Sequence, residues 1–208
     1  EAIEENFKRL CQAVEIEQES MVFSQQVHED RIAIVGADDR GKGIFRDTDI
    51  SGVDGLMTNE PGVALVTFYA DCVPLFFLDP VHGVIALSHA GWRGTIAKIG
   101  AKTINKMCRI FGTHPEDCLV GVGPSIGPCC FEVDSPVMEQ FSQAFPQYDD
   151  IILPGRPGKY YIDLWKANCL QLEELGVCTH HITLASLCTC CHKEIFFSHR
   201  GDKGRTGS

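Results

Sequence analysis

The chain has 208 residues, 44% of them hydrophobic and 22% charged, the usage of an ordinary globular domain that can bury a sizeable core. Its net charge of −10, from 28 acidic against 18 basic residues, excludes the clustered Lys and Arg footprint of nonspecific nucleic-acid binding. No apolar run approaches a membrane span, and Glu1-Ala2-Ile3-Glu4-Glu5 is the opposite of a signal peptide's basic start.

Ile3, Phe7, Leu10, Cys11 and Val14 recur at helical spacing and predict a first amphipathic helix over residues 2–13. Residues 22–27 read as a short strand ending at His28. The span 36–55 is rich in Gly and Asp and is expected to be loop, with Asp47, Asp49 and Asp54 exposed. Residues 63–69 and 75–78 are β-rich. The turn sequence Asp79-Pro80-Val81-His82-Gly83 and the run 84–88 follow, so 75–88 predicts a hairpin. Ile96, Ile99, Ile104, Met107 and Phe111 then repeat helically, with Thr95 as the expected N-cap and Gly112 as the stop. Residues 119–122 form a further strand that runs into the loop GPSIGPCC. Ser135 and Pro136 open a helix to about 145, and Asp163 caps another that stops at Gly176. Late strands are expected over 182–187 and 194–197, before a Gly-rich basic tail. The expected architecture is a single mixed α/β (α+β) domain over 1–208, a mixed sheet covered by helices. The opening without Met leaves room for an upstream segment.

The eleven cysteines lack the regular spacing of a secreted disulfide scaffold, which points to a reducing, cytoplasmic setting. Gly123-Pro124-Ser125-Ile126-Gly127 matches the nucleophile elbow formally, but an elbow leads straight into a helix, and Pro128 and two cysteines follow here. Cys188, Cys190, Cys191 and His192 are too tightly spaced to share one tetrahedral ion, and no second C-x-x-C pair accompanies them. They read as small buried or half-buried thiols. Cys72 and His89 stand at the ends of apolar runs, and Ala90-Gly91-Trp92-Arg93-Gly94 follows His89. Small residues permit close approach, a helix start near Gly94 and Thr95 offers N–H groups to an anion, and Arg93 adds a forked cation.

QVH at 26–28, ADCVP at 70–74, HAGWRG at 89–94, GPSIGPCCFEV at 123–133, DLWKAN at 163–168 and the terminal FFSHRGDKGRTG occur in order along the chain. Together they resemble the YfiH family, also described as multicopper polyphenol oxidoreductase (laccase), purine nucleoside phosphorylase or peptidoglycan editing factor. The resemblance implies a YfiH-like fold and one zinc held by His28, Cys72 and His89, with a fourth position left open as catalytic zinc requires. It also implies a segment upstream of Glu1, bearing an Asn-Leu motif, that this sequence lacks. The implied activity is phosphorolysis of adenosine, inosine and methylthioadenosine to base and ribose 1-phosphate, together with deamination of adenosine. Cys72, His89 and Arg93 are then the expected catalytic residues. Arg93, Arg200 and Arg205 are the candidate anion contacts, with Arg205 considered because Gly201 stands where the family commonly has a second Arg. Asp71 or Glu132 is the candidate proton shuttle. The partners are a nucleoside and phosphate. A rival reading makes Cys72 the nucleophile and His89 the base of a peptidoglycan-editing hydrolase. A copper redox protein is discounted because the chain has no H-x-H, and a binding module without catalysis leaves an open three-ligand metal set unexplained.

Overall fold

The computed structural model describes residues 2–205. In chain order its strands are β1 (Met21–Phe23), β2 (Ile32–Ile34), β3 (Gly55–Thr58), β4 (Ala64–Val66), β5 (Val73–Asp79), β6 (Val84–Ala90), β7 (Leu119–Val122), β8 (Glu132–Asp134), β9 (Ile152–Pro154), β10 (Lys159–Ile162) and β11 (Ile182–Leu184). The helices are α1 (Ala2–Val14), α2 (Trp92–Ile96), α3 (Ile99–Phe111), α4 (Ser135–Ala144) and α5 (Leu164–Glu173). Six strands form one mixed sheet in the order β11-β7-β5-β6-β3-β2. Its two outer pairs are parallel and the rest antiparallel. This is the expected mixed α/β architecture.

The β5–β6 hairpin organises everything else. Alternate residues Leu75 and Phe77 of β5 and Val84 and Ala86 of β6 bury against Ile99, Ile104 and Met107 of α3, the period-2 and period-3.6 patterns meeting at one layer. The Asp79 side chain closes the turn by accepting the N–H groups of Val81 (2.9 Å) and His82 (3.1 Å) and facing the His82 ring at 2.8 Å. Register then runs without a slip from Asp79↔Val84 to Val73↔Ala90, so the open end of the hairpin carries Cys72 and His89 side by side. β3 lies on the other side of β6 and pairs Gly55 with Ser88, which puts Asp54 next to His89. Two smaller sheets flank this one: β8-β10-β9 carries α4, and β1 pairs with β4.

Several expected elements differ. In place of 22–27 the strand is Met21–Phe23, and of 63–69 only Ala64–Val66 is strand; both stand outside the main sheet, and of 182–187 only Ile182–Leu184 is strand. The expected first helix is present, but Leu10 and Val14 are exposed, so the buried stripe narrows to Cys11 with Phe7 packing on Phe23. The expected contribution of Ile3 lies outside the described side chains. The helix after GWRG starts at Trp92 with Gly91 as N-cap, and it breaks at Lys98, which adopts a left-handed conformation (φ 60°). Thr95 is therefore no cap. Its N–H donates to the Gly91 carbonyl at 2.8 Å and its hydroxyl accepts from Asn168 at 3.1 Å. Residues 194–197 form no strand, because the Ile195 and Phe196 N–H groups turn back onto the His192 carbonyl. β2, β3, β8, β9 and β10 were not expected.

Candidate functional site

Asp54 is fully buried, contrary to the exposed loop position expected for it. Its Oδ1 accepts from the His28 N–H at 2.9 Å and faces His89 Nδ1 at 2.8 Å, while Oδ2 accepts from the N–H groups of Val27 (3.1 Å) and Glu29 (2.9 Å). Three successive N–H groups wrapped around one carboxylate form an anion nest. That wrapping accounts for the left-handed backbone of His28 (φ 64°), a conformation that a histidine adopts at a cost of about 1–2 kcal/mol. Burial pushes the Asp54 carboxyl up, but the His89 hydrogen bond and the three N–H donors outweigh it and hold the pKa below the usual carboxylate value.

One carboxylate thus sets two imidazoles. With His89 Nδ1 held by Asp54, its Nε2 is the nitrogen free to bind, as in carboxylate–histidine–metal arrangements. His28 stands edge-on to His89, ring centroids 4.7 Å apart. Burial, then the neighbouring His89, lower the His28 pKa, and that keeps the ring neutral as a ligand must be. Ligand atoms of His28, Cys72 and His89 all lie within 4.8 Å of one another. Gly91 makes that convergence possible. A Cβ there would sit 3.2 Å from Cys72 Sγ and 3.3 Å from His28 Cδ2, inside the space the three donors enclose. Burial pushes the Cys72 thiol up to about 12, with the Asp71 and Asp54 charges adding to it, so the sulfur calls for a cation beside it before it ionises. Two imidazoles and a thiol facing one gap fit a soft or borderline divalent metal.

The three donors stand in a cleft of about 970 Å³, lined by Phe68, Trp92 and Phe131 and by Arg93, His199 and Arg200 among others. Arg93 stacks on Trp92, guanidinium carbon 4.3 Å from the ring centroid, and enters no ion pair among the described residues. The helix start expected beside it is a single short turn, α2, in which the Thr95 N–H is taken by the Gly91 carbonyl. Arg200 lines the same cleft, but its guanidinium donates to the Cys130 and Glu132 carbonyls at 3.2 and 3.0 Å. Arg205 is exposed and is not among the lining residues. Asp71 accepts from the Thr189 hydroxyl and the Arg200 N–H, both at 2.6 Å. Glu132 is chelated by Arg156 at 3.0 and 3.2 Å, and that pairing lowers its pKa. Both carboxylates therefore have partners in place. Ser125 is fully buried and accepts from Trp165 Nε1 at 2.7 Å, which removes it as a nucleophile.

The family model described as multi-copper polyphenol oxidoreductase laccase matches residues 1–208. The chain belongs to this family. It is 42% identical over 207 residues to the purine nucleoside phosphorylase YlmD of Geobacillus stearothermophilus, covering 97% of this chain and 74% of that protein. It is 34% identical over 204 residues to an adenosine deaminase from an unknown prokaryotic organism, covering 95% and 77%. The crystal structure of the hypothetical protein YfiH from Bacillus licheniformis superposes with a TM-score of 0.93 at 38% identity, over 98% of this chain and 77% of that one.

In this laccase-family chain the donor set by itself admits zinc or copper, since two histidines and a cysteine also form trigonal copper sites with a weak axial Met. Among the described residues no Met lines the cleft. Asp54, Gly91 and His199 were missed as site residues in the sequence. Asp54 was one of several aspartates in a Gly-rich stretch, and only its pairing beside β6 distinguishes it. Of the tail cluster, Cys190 and His192 stay outside the group, while Cys188 and Cys191 stand with Cys129 and Cys130 from the distant GPSIGPCC loop, a partner pair that spacing within the tail does not reveal.

Proposed function

We propose that His28, Cys72 and His89 hold one zinc and that the cleft takes a purine nucleoside and phosphate. The reaction is phosphorolysis of adenosine, inosine or methylthioadenosine to the base and ribose 1-phosphate, with adenosine deamination at the same centre. The observation that carries the reading is the convergence of three donors within 4.8 Å beside an arginine that enters no ion pair among the described residues. When bound, zinc supplies Lewis acidity. The chain's residues do the rest. Trp92, Phe68 and Phe131 offer apolar faces to a purine. The Arg93 guanidinium, held by Trp92, offers its fork to phosphate, whose oxygen bonds to the ribosyl carbon as the bond to the base breaks. The names of the relatives, phosphorylase and deaminase, support this substrate class. Zinc rather than copper suits reactions without electron transfer.

A second reading has its own support: Asp54, His89 and Cys72 stand in the order of an acid–base–nucleophile triad, as a peptidoglycan-editing cysteine hydrolase requires. The two make opposite predictions. Incubating the purified protein with adenosine, with and without phosphate, and measuring its metal content decides between them. Adenine and ribose 1-phosphate formed only with phosphate, and abolished by chelation, support the proposal. Activity that survives chelation but is lost to alkylation of Cys72 in the resting protein would overturn it.

A further inference from the structure

The sulfurs of Cys129, Cys130, Cys188 and Cys191 lie within 4.8 Å of one another. Cys191 stands 3.6 Å from Cys129 and 3.5 Å from Cys130, and all four are free thiols. Tetrahedral zinc with bonds of about 2.3 Å sets its sulfurs about 3.8 Å apart. These separations are therefore near what a shared ion needs, and far beyond a disulfide bond.

The backbone around them is built to hold this arrangement. Cys188-Thr189-Cys190-Cys191 is a turn in which the Cys191 and His192 N–H groups donate to the Cys188 carbonyl at 3.2 and 3.1 Å. The opposite pair comes from a second turn, where the Cys130 and Phe131 N–H groups both donate to the Gly127 carbonyl at 3.0 Å. The turns are zipped together by Ser125 N–H to Leu187 O and Thr189 N–H to Ser125 O, both at 3.1 Å. The Gly127 N–H points at Cys188 Sγ at 3.3 Å, the kind of second contact that stabilises a metal-bound thiolate. Cys129 and Cys191 are exposed, so a metal has a way in. Four thiolates from two turns 61 or 62 residues apart make a closed ligand set with no open position.

We infer that Cys129, Cys130, Cys188 and Cys191 bind a second, structural metal ion of the zinc class, separate from the catalytic centre. The site clamps the wall of the cleft. Thr189, inside the cysteine turn, bonds Asp71 next to Cys72, and Arg200 bonds the Cys130 carbonyl. Phe131 follows the other cysteine pair directly. Holding the two turns together holds Phe131, Arg200 and Asp71 in place, which is a reason for a metal where an apolar contact between two loops gives little rigidity.

The test counts metal in full-length protein purified under reductant from zinc-supplemented cells. A double variant His28→Ala/His89→Ala is expected to keep one equivalent of zinc. Cys188→Ser/Cys191→Ser is expected to lose one equivalent relative to the parent, and Cys190→Ser to lose none. Loaded with cobalt, the His28/His89 variant is expected to retain the intense thiolate charge-transfer and tetrahedral d–d bands of a four-sulfur site. A metal-free His28/His89 variant would overturn the inference and leave the catalytic-zinc reading standing. A Cys188/Cys191 variant with unchanged metal content would overturn it equally. Should that variant not fold, the His28/His89 variant and the parent still decide. Cys129 and Cys191 are expected to resist iodoacetamide until a chelator is added, despite their exposure; immediate alkylation, or a disulfide among the four in the freshly reduced protein, refutes the site.

Discussion

Asp54→Asn is the sharpest probe of how the site is set. The carboxylate accepts four contacts, two on each oxygen: His28 N–H and His89 Nδ1 on Oδ1, Val27 and Glu29 N–H on Oδ2. Asparagine has one acceptor oxygen, so whichever way the amide turns, an NH2 faces two donors. If it keeps the Oδ1 pair, the Val27 and Glu29 N–H groups are orphaned and the nest around His28 opens. If it keeps the Oδ2 pair, His89 loses the bond that fixes its tautomer. Either way two hydrogen bonds to a buried charge are lost, at about 1.5–3 kcal/mol each, so stability falls by about 3–6 kcal/mol. Metal affinity at the catalytic centre is expected to fall a further 10–100-fold, on the order seen for second partners of metal-bound histidines. Equilibrium denaturation of the metal-stripped protein reads the first term, and competitive zinc titration of the folded variant reads the second. An Asp54→Asn protein with parental stability and parental zinc affinity would refute the nest as the organiser of the site.

Arg93→Ala is expected to leave zinc content unchanged while phosphorolysis falls by about two orders of magnitude, the loss of a few kcal/mol of charge stabilisation; adenosine deamination, which uses no phosphate, falls less, and equal losses count against a phosphate contact. Gly91→Ala puts a methyl 3.2 Å from Cys72 Sγ and is expected to weaken zinc binding at least 10-fold with little change in apo-protein stability, as read by zinc titration beside thermal melting. At Asp79 burial pushes the carboxyl up, but the hydrogen bonds around it prevail and the folded pKa is lowered, so its stabilisation is present above the unfolded value of about 4 and is lost as pH falls through the folded one. Asp79→Ala is therefore expected to cost about 2–4 kcal/mol at neutral pH, with the gap closing in acid, as followed by urea denaturation across pH.

The parts of the fold that depend on one segment's own pattern were legible in the sequence. The hairpin was visible because its apolar alternation brackets Asp79-Pro80-Val81-His82-Gly83, whose turn chemistry is local. α5 was visible because Asp163 does cap it, accepting the Lys166 N–H at 2.9 Å. β2, β3 and β8 were not, since three- and four-residue strands are defined by partners distant in the chain, and β9 and β10, though they pair with each other, are too short for a period to show. Thr95 misled because a Thr before a helical pattern is a good N-cap signal, whereas Gly91 starts the helix with no side chain at all. The site divided along the same line. His28, Cys72, His89 and Arg93 stand within quotable motifs. Asp54 matters only through the β3–β6 register, and the four cysteines only through the bridge that joins Ser125 to Cys188.

That division bears on how the cleft keeps its shape. Cys72 follows Asp71, a non-glycine residue held at φ 89°, and a backbone so placed persists only when its surroundings over-determine it. They do so here from three directions. The Asp71 carbonyl accepts the Ile126 N–H at 2.8 Å, its Oδ1 takes the Thr189 hydroxyl, and its Oδ2 takes the Arg200 N–H. Each of these partners belongs to, or is bonded to, one of the two cysteine turns. On the opposite side His89 is fixed by Asp54, which also fixes His28. The three donors are therefore clamped by two carboxylates, one serving the histidines and one serving the cysteine. Perturbing Asp71 should move Cys72 while leaving the two histidines where they are, and perturbing Asp54 should do the reverse. Weaker zinc binding at this site in both variants, with the four-cysteine site still loaded, follows if the three donors act as one site. A nucleophilic Cys72 would instead lose activity in both without any change in metal content.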